Sequence, residues 1–155
     1  MRMMPNKTLN IPNVVLRRYR DEDYPEVLSL WEEAGLPCKP KGRDSRANLE
    51  RQSLQAQVIF LVAEMNGRLI GTVLATHDSR KGWINRLAVA GDHRGQGLAR
   101  RLVEEAELSL GRRGIEIFAC LIEQDNSVSL KVFERLGYRR HPEIVYFTKR
   151  KSEET

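Results

Sequence analysis

The segment 58–76 constrains the fold most, because it contains two β-rich runs that only a tight turn can join. Its sequence is VIFLVAEMNGRLIGTVLAT, and the dipeptide Asn66-Gly67 stands between the two runs. Asparagine followed by glycine supplies the positive φ angles that a two-residue hairpin turn requires. The sequence therefore predicts an antiparallel hairpin near the middle of the chain, and any architecture must include that pair of strands.

Length and hydropathy predict one domain without a membrane span. A chain of 155 residues has room for one domain with a real core. Its longest apolar run, VIFLVA at 58–63, is far shorter than the roughly 20 residues that span a bilayer. The opening MRMMPNKTLNIP lacks the apolar stretch of a signal peptide. We expect a flexible tail over 1–12 and a domain over 13–151, in a cytoplasmic protein.

Periodicity places further elements on both sides of the hairpin. Apolar residues recur at helical spacing after the acidic triplet at 21–23 and again from Leu98 onward. The expected order is a strand over 14–20, a helix ending near Gly35, a polar helix over 45–55, the hairpin, a strand over 83–89, a helix from Leu98, a strand over 115–122, a helix from an Asn126 cap to Gly137, and a final strand over 143–150.

The net charge and the two cysteines limit which ligands and partners we expect. The formal charge of +5 suits an anionic ligand, but the basic residues are spread along the chain without the aromatic interleaving typical of nucleic-acid binding. Cys38 and Cys120 match neither a redox motif nor a zinc spacing. We therefore expect reduced thiols, no metal site, no membrane partner and no nucleic-acid partner.

The stretch HRGQGLARRL at 93–102 joins a strand to a helix and predicts an anion site. The first turn of a helix leaves backbone N–H groups without partners and carries about half a positive charge. Gly95 and Gly97 remove Cβ atoms that would hold a phosphate away from those groups, and Arg94 adds a fork of donors. Together these features predict a pyrophosphate loop.

Two other phosphate loops fit this stretch less well. A P-loop ends in Gly-Lys-Ser/Thr, which this stretch lacks. A dinucleotide fingerprint expects glycine or alanine at position 100, where Arg100 stands, and it belongs to the first unit of a parallel sheet. Here an antiparallel hairpin comes first.

Arg94, Gly97 and Ala99 fit the pattern Gln/Arg-x-x-Gly-x-Gly/Ala. This pattern resembles the acetyl-coenzyme A pyrophosphate loop of the GCN5-related N-acetyltransferases, the GNAT superfamily. INRLAV before the loop resembles their fourth strand, and NSVSLKVFERLGY resembles their C-terminal motif. LWEEAGLP and FLVAEMNGRLIGTV are similar to a branch of small bacterial GNAT proteins.

The resemblance covers the chain from Val14 to about Arg150 and implies its fold. The expected class is α/β (α+β), a single GNAT-type domain with a mixed, mostly antiparallel central sheet flanked by helices. Its fourth and fifth strands are expected to splay apart.

The resemblance also implies an acyltransferase that moves an acetyl group from acetyl-CoA to a primary amine. The amine would attack the thioester directly in a ternary complex, and the Val89 N–H would donate to the developing oxyanion. Asn126 would contact the pantetheine or thioester region, or would only cap its helix. The residues expected to bind acetyl-CoA are Leu87, Ala88, Val89, Arg94, Gly95, Gln96, Gly97, Leu98, Ala99, Arg100, Asn126, Ser129 and Phe133.

The sequence departs from the family pattern at the residues that would transfer protons. Many relatives carry a tyrosine in the C-terminal helix that protonates the leaving thiolate, and Phe133 occupies that position here. Tyr138 or Tyr146 is the expected substitute, and Glu123 and Glu64 are the candidate bases. Loss of the acid need not abolish turnover, because a thiol with a pKa of about 8.5 can leave as its anion.

The acceptor is expected to enter between the first two helices and the fourth strand, with Trp31, Arg43, Asp44 and Asn85 as walls. Asp44 would favour a cationic amine, whereas Arg43 would favour a carboxylate, so the sequence does not choose between them. The acceptor would be a small molecule, a protein N-terminus or a lysine, and the enzyme a monomer or homodimer.

The alternative function is a non-catalytic acyl-CoA-binding or regulatory module. Phe133 and the lack of a carboxylate on the fourth strand motivate it.

Overall fold

The computed structural model describes residue 11 and residues 13–155, and a five-stranded mixed sheet in the order β1-β2-β3-β4-β5 forms its centre. The strands are β1 Val14–Arg18, β2 Val58–Met65, β3 Arg68–His77, β4 Gly82–Val89 and β5 Phe118–Ala119. The helices are α1 Tyr24–Glu33, α2 Arg46–Ser53, α3 Leu98–Gly111 and α4 Ser127–Arg135. The first four strands are antiparallel and β5 joins β4 in parallel, which confirms the expected fold class. Of the tail expected over 1–12, only residue 11 lies within the described residues.

The predicted hairpin forms the middle of the sheet. Asn66 and Gly67 both adopt positive φ angles, 51° and 76°, as the two-residue turn requires. Both β2 and β3 are buried on both faces over most of their length, because a helix covers each side of the sheet. No helix in the described part of the chain is long and apolar enough to span a bilayer.

Two neighbouring residues of β3 show that α1 and α3 cover opposite faces. Trp31 of α1 donates a hydrogen bond to the side chain of Thr72, whereas α3 packs over Gly71. Successive residues of a strand point to opposite faces, so the two helices enclose the sheet. A Cβ atom on Gly71 would lie 2.9 Å from Leu102 Cδ1, so glycine at this position lets α3 lie close to the sheet.

The fourth and fifth strands separate, as expected. Their parallel pairing is limited to Gly82 with Phe118 and Trp83 with Ala119. Beyond Trp83, no strand in the described part of the chain pairs with this edge of β4. A cleft therefore opens along β4 toward Val89.

Two predicted strands are corrected by the structure. The strand expected over 115–122 is reduced to Phe118–Ala119. The final strand expected over 143–150 is wrong, because this segment is irregular and its apolar side chains are exposed, Phe147 to 87%. Strand propensity acts only where a partner edge is available, and a two-residue β5 offers too short an edge.

Candidate active site

A bulge in β4 at Arg86 sets the geometry of the site. Arg86 has a φ of 52°, and the pairing of β3 with β4 shifts between Thr72 and Leu74. The fully buried Thr72 donates its hydroxyl hydrogen to the Arg86 carbonyl at 2.9 Å and accepts a hydrogen bond from Trp31 Nε1 at 3.0 Å. A buried chain of hydrogen bonds therefore fixes the bulge between the two helices.

Past the bulge, part of the backbone of β4 faces the cleft. The Ala90 N–H donates to the Ile70 carbonyl at 2.9 Å, which makes these two residues a hydrogen-bonded pair. Because such pairs alternate along an antiparallel ladder, the facing pair Gly71 and Val89 is not hydrogen-bonded. The N–H and carbonyl groups of Val89 therefore point away from β3.

The predicted pyrophosphate loop follows directly and leads into α3. Gly95 and Gly97 have φ angles of 72° and 79°, and Gly97 begins the helix without any side-chain cap. Within the described residues, the backbone N–H groups of 95–100 meet no hydrogen-bond acceptor. The loop thus presents a row of unmet donors at a helix N-terminus, as an anion site requires.

Two side chains tie this loop to its surroundings. Arg94 donates through Nε to the Val89 carbonyl at 3.1 Å, which ties its guanidinium group to the end of β4. The Glu33 carboxylate at the end of α1 accepts from the Gly91 N–H at 2.8 Å. Sequence reasoning missed Glu33, because no local pattern connects α1 with a turn 58 residues away.

The C-terminal helix α4 begins at a cap and is followed by Tyr138, which contacts α3. The Asn126 side chain accepts from the Ser129 N–H at 3.2 Å, which confirms the predicted cap. Phe133 is buried and meets the ring of Tyr138 edge-on, with centroids 5.0 Å apart.

The Tyr138 phenol is engaged in a hydrogen bond away from the loop. It donates to Glu107 of α3 at 2.7 Å. Burial, reinforced by this hydrogen bond, raises the pKa of Tyr138 well above its ordinary value. A higher pKa makes the phenol a weaker acid.

The two candidate bases are not brought together by the fold. Glu64 lies on β2, two strands from β4, and accepts from Arg17 Nε at 2.6 Å. Arg17 also binds the buried Asp23 through two hydrogen bonds of 2.8 and 2.9 Å. Glu123 follows β5 and is exposed, and within the described residues its carboxylate makes no ion pair. Neither carboxylate contacts the bulge at Arg86.

An open cavity of about 690 Å³ lies where the acceptor was expected. All four predicted walls line it, namely Trp31, Arg43, Asp44 and Asn85. The other lining residues are Leu36, Asn48, Leu49, Arg51, Gln52, Gln55, Leu74, Thr76 and Arg86. The structure therefore brings the predicted acceptor residues together, between α1, α2 and the bulged part of the sheet.

Arg86 and Asp44 form the polar centre of this cavity. Arg86 Nη2 lies 2.9 Å from each carboxylate oxygen of Asp44, which is only 5% exposed. The guanidinium carbon of Arg86 lies 4.6 Å from the centre of the Trp31 ring, and its other amino group donates to the Pro37 carbonyl. Sequence reasoning missed Arg86, although a charged residue within the apolar run WINRLAV was the available signal.

Neither cysteine has the character of a nucleophile. Burial raises the pKa of the Cys120 thiol to about 11 and also raises that of Cys38. Both thiols are free and protonated at neutral pH. The site therefore offers no thiolate for a covalent intermediate.

The profile of the acetyltransferase (GNAT) family matches residues 17–138, which include the bulge, the loop and the whole of α4. The chain belongs to this family. It is therefore an acyltransferase, in agreement with the prediction from the loop and its flanking motifs.

Known relatives of this GNAT protein share its length and fold. It is 35% identical to acetyltransferase plu1384 of Photorhabdus laumondii over 136 residues, 87% of this chain and 94% of that protein. The PaiA N-acetyltransferase of Thermoplasma acidophilum, solved with coenzyme A, has a TM-score of 0.73 at 18% identity, covering 83% of this chain and 91% of that one. The acetyltransferase AAC(6')-Iy, solved with a bisubstrate analogue, has a TM-score of 0.76 at 19% identity, covering 90% and 99%.

Proposed function

We propose that this GNAT protein transfers the acetyl group of acetyl-CoA to a primary amine by direct attack in a ternary complex. The observation that carries the proposal is the row of unmet backbone donors at 95–100, which lies beside the cleft-facing edge of β4. The cavity around Arg86 meets the same strand at its bulge, so one strand connects a donor end with an acceptor end.

The solved neighbours support this assignment of the two ends. PaiA was crystallised with coenzyme A, and AAC(6')-Iy with an analogue that joins coenzyme A to acetylneamine. A bisubstrate analogue mimics a complex in which donor and acceptor are bound at once. The present chain has a similar fold and therefore room for the same arrangement.

At the donor end, backbone groups bind acetyl-CoA. The N–H groups of 96–100 and the Arg94 guanidinium bind the pyrophosphate, and the cleft-facing backbone of Val89, together with that of Leu87, pairs with the pantetheine arm. The Val89 N–H donates to the oxyanion that forms during attack. The contribution of the Asn126 amide nitrogen toward the same arm stays a prediction, as do contacts from Ala88, Ser129 and Phe133.

Proton transfer at this site needs no tyrosine acid. Phe133 has no hydroxyl group and Tyr138 is bound to Glu107, so coenzyme A leaves as its thiolate anion. Glu64 is bound to Arg17, and we assign it a structural role. Glu123 is the remaining candidate base and would accept a proton through water.

Thermal unfolding with added ligands tests the donor assignment. At 100 times its Kd, acetyl-CoA would stabilise the protein by about 2.7 kcal/mol, which raises the Tm by roughly 5 to 10 °C. NAD and ATP at the same concentration would leave the Tm unchanged. Absence of a shift at millimolar acetyl-CoA would refute the proposal.

Release of the coenzyme A thiol in the presence of an amine panel tests the transfer itself. Stabilisation by acetyl-CoA without thiol release from any amine would contradict the transferase and favour the non-catalytic acyl-CoA-binding module.

A further inference from the structure

The charges that line the acceptor cavity do not balance. Its lining contains three arginines, Arg43, Arg51 and Arg86, and one acidic residue, Asp44. The chemistry of the acceptor therefore depends on whether that carboxylate is available to an incoming ammonium group.

The Asp44 carboxylate is already engaged by groups of the protein itself. Both of its oxygens accept from Arg86 at 2.9 Å, and one also accepts from the Lys39 N–H at 2.8 Å. In addition, Arg43 Nε lies 3.5 Å from the oxygen that accepts from Lys39. An ammonium group at Asp44 would have to displace one of these donors and leave it unpaired, which costs free energy in a buried position. Asp44 acts as a positioning residue for Arg86 and not as the partner of the amine.

The remaining positive charges lie on the α2 side of the cavity. Arg43 is exposed and shares a carboxylate that Arg86 binds more closely. Arg51 makes no ion pair within the described residues and donates a hydrogen bond to the Asn48 side chain at 2.6 Å. Two guanidinium groups on one wall, with the amides of Gln52 and Gln55 beside them, form a surface that suits a carboxylate.

Resting on the acetyltransferase function proposed above, we propose that the acceptor is an amine that carries a carboxylate. Arg43 and Arg51 bind the carboxylate, and the amine faces the bulge of β4. A polycationic acceptor would instead bring its ammonium groups against the guanidinium groups of Arg43 and Arg51.

Matched pairs of acceptors test this inference. Amino acids and ω-amino acids are each compared with their own primary amide at saturating acetyl-CoA, with rates referred to the concentration of free amine. For each amino acid or ω-amino acid that is a substrate, we expect kcat/KM to exceed that of its amide by about 10- to 100-fold, because the amide lacks a charge-assisted contact. Spermidine, as a polycation, is expected to react more slowly than these carboxylates.

Two variants locate the carboxylate within the cavity. Arg43→Gln and Arg51→Gln are expected to raise the KM for the carboxylate acceptor by about tenfold and to leave the KM for its amide within about twofold. Arg68→Gln removes the same charge from the exposed first residue of β3, next to the hairpin turn and far from the cavity, and is expected to change neither constant. All three variants should keep the wild-type response to acetyl-CoA in thermal unfolding.

The outcomes separate this inference from the function on which it rests. Equal use of carboxylates and amides, faster reaction of spermidine, or no thiol release from any carboxylate overturns the inference while acetyl-CoA binding stands. Equal effects of Arg43→Gln on both members of a pair overturn it as well. Failure of acetyl-CoA to stabilise the protein overturns the proposed function itself.

Discussion

The two ends of the cleft along β4 are built from different kinds of groups, backbone N–H groups at one end and side chains at the other. At the donor end, the backbone N–H groups of 95–100 meet no acceptor in the described residues, and two glycines keep side chains away from them. At the acceptor end, side chains satisfy one another, with Asp44, Arg86 and Trp31 in one connected network. A backbone site depends on conformation and is encoded by a few glycines, whereas a side-chain site depends on residues that meet only in the folded protein.

The largest effect is expected from the pair at the acceptor end. Asp44→Asn leaves Arg86 half-buried without its carboxylate and should lower the free energy of unfolding by about 3 kcal/mol. Asp21→Asn breaks an exposed pair with Arg46 and should cause little change. Urea unfolding of both variants measures the difference. Equal losses would mean that the Asp44 pair is no more than a surface contact.

A substitution in the loop should act on the donor and leave the acceptor network intact. Gly97→Val puts a β-branched side chain at a φ of 79°, in front of the unmet N–H groups, and should raise the KM for acetyl-CoA about 100-fold. Gly67→Val imposes similar strain at a φ of 76° in the hairpin turn, away from the loop. Steady-state kinetics of both variants separate strain from binding. A similar rise in KM for the control would exclude a specific role for the loop.

The network of Arg17, Asp23 and Glu64 should support α1 without taking part in recognition. Burial works against the ionised form of Asp23, but hydrogen bonds from Arg17 and from the Arg20 N–H outweigh it, so the pKa of Asp23 lies below its ordinary value. The resulting stability is present above the unfolded pKa, about 3.9, and is lost as the pH falls through the lowered folded value. Asp23→Asn should therefore cost about 2 kcal/mol at pH 7, and the gap to the wild type should narrow below pH 4. Urea unfolding across this pH range checks the sign, and a gap that widens in acid would contradict it.

The smallest effect is expected at the hydrogen bond between α3 and Tyr138. Tyr138→Phe removes the bond to Glu107 and should cost about 1 kcal/mol of stability, with kcat changed by less than about twofold. Tyr146→Phe, at an exposed position, is the matched control and should change neither quantity. A fall in kcat of about 100-fold for Tyr138→Phe alone would identify the phenol as the acid at the donor end.

The difference between the two ends also explains what could be predicted from sequence. The hairpin turn and the loop were predicted because Asn66-Gly67 and Gly95-x-Gly97 encode backbone conformation locally. The helix cap at Asn126 is local as well. The partnership of Asp44 with Arg86 joins residues 42 positions apart, and nothing in either segment specifies the other. The final strand over 143–150 was wrong for a related reason, since its propensity gave no information about a partner edge.

The lining of the acceptor cavity has a consequence for how specificity can change. Nine of its thirteen residues come from the continuous segment 31–55, and Glu33 of that segment binds the Gly91 N–H near the pyrophosphate loop. An exchange of residues 36–55 with a relative would replace most of the acceptor wall in one step while the donor site is inherited unchanged. The fold is in this sense modular, and a lineage could diversify its acceptors through a stretch of twenty residues without rebuilding the machinery that handles acetyl-CoA.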